Sequence, residues 1–201
     1  MTNYSDEQLM FSLIEEWDLG AFEELLTRYE RPLLIYIIRQ VGDYHRAQDL
    51  FQETFYRIFK HRKSFNPDLR FSTWAYRIAT NLCINALKGK THELELFLED
   101  VNPGKVSSYS SLNKGTSSID SQSSPEEKLI KKDLEGKIKD LVKSLPEKLR
   151  SAFILSKYHE LSHQEIAKVL DIPLGTVKSR LRQSFKQLFE LIEKRGLIDG
   201  L

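Results

Sequence analysis

Leu161-Ser162-His163-Gln164-Glu165-Ile166-Ala167-Lys168-Val169-Leu170-Asp171-Ile172-Pro173-Leu174-Gly175-Thr176-Val177-Lys178-Ser179-Arg180-Leu181-Arg182-Gln183 reads as two short helices with a three-residue turn between them. Ser162 followed three residues later by Glu165 is a capping box, in which each residue satisfies a backbone N–H of the other. Asp171-Ile172-Pro173 stops the first helix, because proline cannot continue it. The second helix opens at Leu174, and Val177, Leu181, Phe185 and Leu188 recur on one face as an apolar stripe. Two short helices at a tight turn form a helix-turn-helix, whose second helix suits the major groove of DNA.

The outward face of that second helix carries Thr176, Lys178, Ser179, Arg180, Arg182, Gln183 and Lys186, with four basic and no acidic residues between Leu174 and Leu188. Lysine and arginine contact phosphates or guanine edges, and glutamine pairs with adenine. The N–H groups at Gly175-Thr176 add a phosphate-facing helix terminus. Upstream, Pro146 opens a helix with Leu149, Ala152, Phe153 and Leu155 on its apolar side.

Further toward the N-terminus, Phe22, Leu25, Leu26, Tyr29, Leu33, Tyr36 and Ile37 predict a helix over 20–41, bent or split near Arg31 by Pro32. A second is expected from about His45 to Arg62, and a third from a Ser72 or Thr73 cap to about Lys88. Residues 64–71 contain Asn66-Pro67-Asp68 and read as a loop. Between Ser107 and Ser124 stand nine serines, too polar to repay the entropy of ordering. The fold expected is all-α: two small helical domains, 1–90 and 125–201, joined by a flexible linker over 91–124.

Charge follows this division. Residues 1–52 hold 4 basic and 10 acidic residues, and 53–90 hold 8 and 2; 91–127 hold 2 and 7, and 128–201 hold 16 and 10. Basic blocks suit phosphates, and acidic ones suit a basic or protein partner. No apolar run reaches the length of a membrane span, and the N-terminus has no signal-peptide pattern, so a cytoplasmic protein without membrane insertion is expected. The single cysteine, Cys83, excludes an internal disulfide and reads as a core residue. His159-Glu160-Leu161-Ser162-His163 satisfies the H-E-x-x-H pattern, but Ser162 starts a new helix between the histidines. No catalytic residue, metal or cofactor is therefore expected.

Two motif sets together resemble the extracytoplasmic-function sigma factors of the sigma-70 family. One is the helix-turn-helix with its preceding Leu145-Pro146 and Arg150. The other is Asp49-Leu50-Phe51-Gln52-Glu53-Thr54-Phe55 with Phe71-Ser72-Thr73-Trp74-Ala75-Tyr76-Arg77-Ile78-Ala79-Thr80-Asn81. The resemblance implies promoter-specific transcription initiation, with the C-terminal domain reading the −35 element through the seven residues of the basic helix. It implies that Asp49, Gln52 and Glu53 dock on the clamp helices of the largest subunit of core RNA polymerase, and that the flap of the second largest subunit is also contacted. Lys63, Ser64, Phe65, Asn66, Arg70, Phe71, Trp74, Arg77, Asn81 and Asn85 would engage the −10 element and a flipped base, with Tyr76 beside them. The family is commonly held inactive by an anti-sigma protein, which the resemblance admits as a further partner. The competing expectation is a conventional helix-turn-helix regulator with an N-terminal sensor or dimerisation domain, which leaves the N-terminal motifs unused.

Overall fold

Capping residues place the helices of the N-terminal half. The computed structural model describes residues 4–100, 136 and 138–194, with the backbone alone for 90–100. Helix α1 (Asp6–Glu15) begins at a capping box in which the Ser5 hydroxyl accepts from the Gln8 N–H and the Gln8 side chain accepts from the Ser5 N–H. It buries Leu9, Met10 and Leu13. This helix lies before the first expected one at 20–41, although Ser5-x-x-Gln8 is a legible start signal. Trp17, with φ 57°, turns the chain into α2 (Leu19–Val41), which Asp18 caps by accepting from the Gly20 and Ala21 N–H groups.

Helix α2 runs unbroken through Pro32, so of the expected bend or split the split does not occur. A proline costs its helix one N–H donor and a clash with the preceding turn. Here Leu25, Leu33, Tyr36 and Ile37 are fully buried on both sides of it, and their packing holds the two halves in one helix. Gly42 ends α2 in the left-handed region (φ 75°), its N–H donating to the Ile38 carbonyl.

Asp43 caps α3 (Tyr44–Lys60), which buries Ala47, Thr54, Phe55 and Ile58. A short 3₁₀ turn (Arg62–Ser64) leads into the expected loop, where the Asn66 side chain accepts from the Asp68 N–H. Helix α4 (Phe71–Asp100) starts before the expected Ser72/Thr73 cap and continues past Lys88. Its first N–H, that of Phe71, donates to the Glu7 carboxylate at 3.0 Å, so α1 supplies the partner that sequence reading sought locally. Residues 91–100, expected to begin the linker, are helical. The serine-rich stretch lies outside the described residues.

In the C-terminal half a helical stretch over 138–144 leads to Pro146, the N-cap of α5 (Glu147–Lys157). Helix α6 (His163–Leu170) carries the predicted capping box, with both reciprocal bonds present. Asp171 at φ 53° ends it, and α7 (Leu174–Lys194) follows. Helix α5 is enclosed over seven consecutive residues, Leu149 to Leu155. A helix buried on all sides has neighbours on all sides. α7 and α6 cover it from its own half, and α2 covers it from the other.

The two sets of helices therefore share one continuous core. α6 lies along α4, and Gln40 of α2 accepts from the Ser151 hydroxyl of α5 at 3.2 Å. Among the described residues the chain is all-helical, as expected; the close apposition of its halves was not expected from sequence.

Candidate nucleic-acid interface

The turn between α6 and α7 is built from local bonds. The Ile172 N–H donates to the Ala167 carbonyl at 3.1 Å, and the Thr176 and Val177 N–H groups both donate to the Pro173 carbonyl. Thr176 thus spends its N–H inside the turn, which removes it from the expected phosphate contact. Val177, Leu181, Ser184 and Leu188 form the inward face of α7. Phe185 was expected there, but it is 47% exposed and packs edge-on against Phe153, with Lys157 above its ring. Ser184 takes the buried position, its hydroxyl donating to the Arg180 carbonyl at 2.7 Å with the Leu149 carbonyl at 3.1 Å as the alternative acceptor. A hydroxyl satisfied by a carbonyl sits in a core at little cost, a substitution that hydropathy alone does not reveal.

Lys178, Ser179, Arg182, Gln183 and Lys186 all stand exposed on the outward face, while Thr176 and Arg180 are half-buried. Near them only Lys186 has an acidic neighbour within its helix, Glu190 at 3.9 Å. This face is free to meet a polyanion.

The second cluster surrounds the loop before α4. An open cleft of about 220 Å³ is lined by Arg57, His61, Ser64, Trp74, Ile78 and Asn81. Three predicted residues, Ser64, Trp74 and Asn81, meet there. Arg57 and His61 were missed, although their spacing of four at the end of α3 puts them on one face. Lys63, Asn66 and Asn85 are exposed around this region, and Arg70 and Arg77 are exposed side chains of α4 and its approach.

Phe65 and Phe71 are buried, 8% and 0% exposed, so in this arrangement neither presents its ring to a base. Phe71 packs edge-on against Tyr29 at 4.9 Å, and Phe65 lies 5.3 Å from Trp74. Such aromatic pairs stabilise a loop beyond their buried area. Half-buried Trp74 belongs both to their cluster and to the cleft. Tyr76 is likewise buried, between Tyr36 and His159.

On α3, Asp49 and Gln52 are exposed and Glu53 is half-buried, its carboxylate 2.6 Å from the Arg57 guanidinium. They share one outward face, which Tyr56, 57% exposed, extends by a turn. Hydropathy reading passed over Tyr56 because an aromatic on a helix is usually core.

Residues 25–93 match the family model Sigma-70 region 2, and residues 135–188 match Sigma-70, region 4. The ECF RNA polymerase sigma factor SigW of Bacillus subtilis is 31% identical over 175 residues, covering 87% of this chain and 90% of that protein. The chain belongs to the extracytoplasmic-function sigma factors. The RNA polymerase sigma-H factor of Pseudomonas aeruginosa is also 31% identical to this sigma factor, over 90% of each chain. In fold it resembles CnrH, solved in complex with the cytosolic domain of CnrY, with a TM-score of 0.66 at 17% identity over 95% of this chain and 99% of that one. The sigma factor RpoE of Bartonella quintana, solved with the anti-sigma factor NepR, gives a TM-score of 0.62 at 22% identity, covering 86% and 96%. The two matched regions take in both clusters: the cleft and the α3 face fall in region 2, and the basic helix in region 4.

In this sigma factor the H-E-x-x-H residues do not converge. His159 lies in the α5–α6 turn with Nδ1 2.8 Å from the Tyr76 hydroxyl, whereas His163 is exposed on α6. Glu160 between them has φ 51°. Cys83 is a buried core residue, and burial pushes its thiol up to about 12, so it stays a thiol at neutral pH.

Proposed function

We propose that this sigma factor binds core RNA polymerase through the Asp49–Gln52–Glu53 face of α3 and reads promoters with two separate surfaces. The −35 element meets Lys178, Ser179, Arg182, Gln183 and Lys186 of α7, flanked by Thr176 and Arg180. The opened −10 strand lies against Lys63, Asn66, Arg70, Arg77 and Asn85, with a flipped base entering the cleft at Ser64, Trp74 and Asn81. Arg57 and His61 complete that cleft's wall. A single-stranded base needs a pocket for its ring and cations along its backbone, and this region of the chain supplies both.

The observation that carries this reading is the one-sided basic face of α7, exposed beside a correctly capped turn, in the same chain as a region 2 match. A conventional helix-turn-helix regulator would account for α7 and leave region 2 without a purpose. The sigma factor acts by binding rather than by catalysis. It works in the cytoplasm, where the polymerase is; among the described residues no helix is long and apolar enough to cross a membrane. An anti-sigma protein is its natural antagonist, a reading supported by the anti-sigma factor NepR, the partner named for the structural relative RpoE.

Run-off transcription with purified core polymerase on a library of genomic fragments tests this function. Discrete transcripts that depend on the added chain are expected. A chain that neither joins core polymerase nor yields specific transcripts refutes it.

A further inference from the structure

Arg70 and Arg77 are two of the cations assigned above to the −10 strand, and both are already engaged by carboxylates. Arg70 lies 3.1 Å from Glu165, the third residue of α6, and Arg77 lies 3.3 Å from Asp171, which ends it. The whole of α6 lies along α4 between these two pairs. Beneath them His159 wedges between Tyr36 and Tyr76, with ring centroids at 5.5 and 5.0 Å. Arg39 covers the Tyr158 ring at 3.6 Å, and Gln40 bonds Ser151. The contacts thus run the full length of the apposition between the two halves.

We infer that the acidic edge of the helix-turn-helix, Glu165 and Asp171, stands in for DNA phosphates on the α4 surface, so that region 4 and the single-stranded −10 DNA compete for one site. The inference rests on the −10 assignment of Arg70 and Arg77. A guanidinium holds a carboxylate or a phosphate with the same fork of N–H donors, so a carboxylate seated there competes with a phosphate for the same charge and donors. The ion pairs are exposed and weak, so exchanging each carboxylate for a phosphate costs little, while the buried Tyr36–His159–Tyr76 cluster adds to the hold of the shared core. The geometry of α6 is suited to its double use: its capping box fixes Glu165, whose second oxygen bonds Ser162, with the first aimed at Arg70.

The test uses the full chain and fluorescein-labelled single-stranded DNA of mixed sequence. Dyes at Glu23→Cys and Glu193→Cys, both exposed positions on opposite halves, report separation by energy transfer. Saturating DNA is expected to lower the transfer, and the Glu165→Gln/Asp171→Asn variant to bind DNA about 2–30-fold more tightly, the range for two exposed ion pairs. His159→Ala opens the same contact without touching either arginine or its carboxylate, and is expected to tighten binding too; circular dichroism checks that both variants keep their helices. Transfer that stays unchanged at saturation overturns the competition, as does DNA affinity within twofold of the original in both variants. In the Glu165→Gln/Asp171→Asn background, Arg70→Ala/Arg77→Ala is expected to weaken binding. If it does not, the −10 assignment falls, and the competition with it.

Discussion

The cations of α7 and those of α4 differ in one respect that composition does not show. On α7 three basic side chains, Lys178, Arg182 and Lys186, stand exposed with little acid near them; at the start of α4 Arg70 and Arg77 are matched by carboxylates from another part of the chain. Both lie in blocks of sequence with the same net charge, 53–90 with 8 basic and 2 acidic residues and 128–201 with 16 and 10. The difference teaches that a basic helix is a binding surface only where the tertiary structure leaves it uncovered.

That comparison can be broken most severely at the polymerase face, which lies on neither basic surface. Asp49→Lys/Glu53→Lys is expected to abolish core binding while circular dichroism and thermal unfolding stay as they were; holoenzyme formation by the variant on a sizing column would refute the assignment. Next comes the shared core. Ile154 is fully buried in α5 between the two halves, and Ile154→Ala is expected to cost about 2–5 kcal/mol of stability by chemical denaturation. If the halves unfold in two separate transitions with only one displaced, the shared core is not cooperative.

Lys178→Ala or Arg182→Ala is expected to weaken −35 use by about 1–3 kcal/mol if the residue reads a base, with stability unchanged. Unaltered promoter preference in transcription assays would show that the residue touches phosphate alone. Removing the cap by Ser162→Ala is expected to cost about 1 kcal/mol and to loosen Glu165 from Arg70 as well, readable in the unfolding midpoint.

The mildest perturbation is pH. Burial and then the charge of Arg39 hold the His159 imidazole down at about 4, against about 6.5 when unfolded. The ring is neutral in the closed chain, and Nε2 is enclosed without a hydrogen-bond partner. Because the separated or unfolded form binds the proton more readily, closed-state stability is full above pH 6.5 and declines as pH falls toward 4. Energy transfer between the halves should decline over that window, and His159→Ala should flatten the response. Glu165 contributes in the same direction. Burial raises its pKa, but Ser162 and Arg70 outweigh this and hold it below the usual range, so acid also weakens its pairing.

Where the signal was local, reading the sequence sufficed. The capping box at Ser162, the turn at Asp171-Ile172-Pro173 and the outward basic face depend on neighbours within one or two helical turns, and each stands where expected. Helix α1 carried the same kind of signal at Ser5 and Gln8 and went unread because its apolar content is short. Phe65, Phe71 and Phe185 could not be assigned from type alone. An aromatic ring near a basic loop suits a base or a core equally well, and burial decides which.

The sequence by itself determined the all-helical class, the helix-turn-helix and the motif pairs that mark the family, because capping, proline geometry and helical periodicity act over a few residues. Only the tertiary structure decided that Glu7 supplies the first bond of α4, that Ser184 replaces Phe185 inside, and that Glu165 and Asp171 meet Arg70 and Arg77. These partners lie from 35 to 95 residues apart, or are set by which face of a helix another helix covers. Such contacts depend on how the remaining apolar surface is buried, a property of the folded chain as a whole.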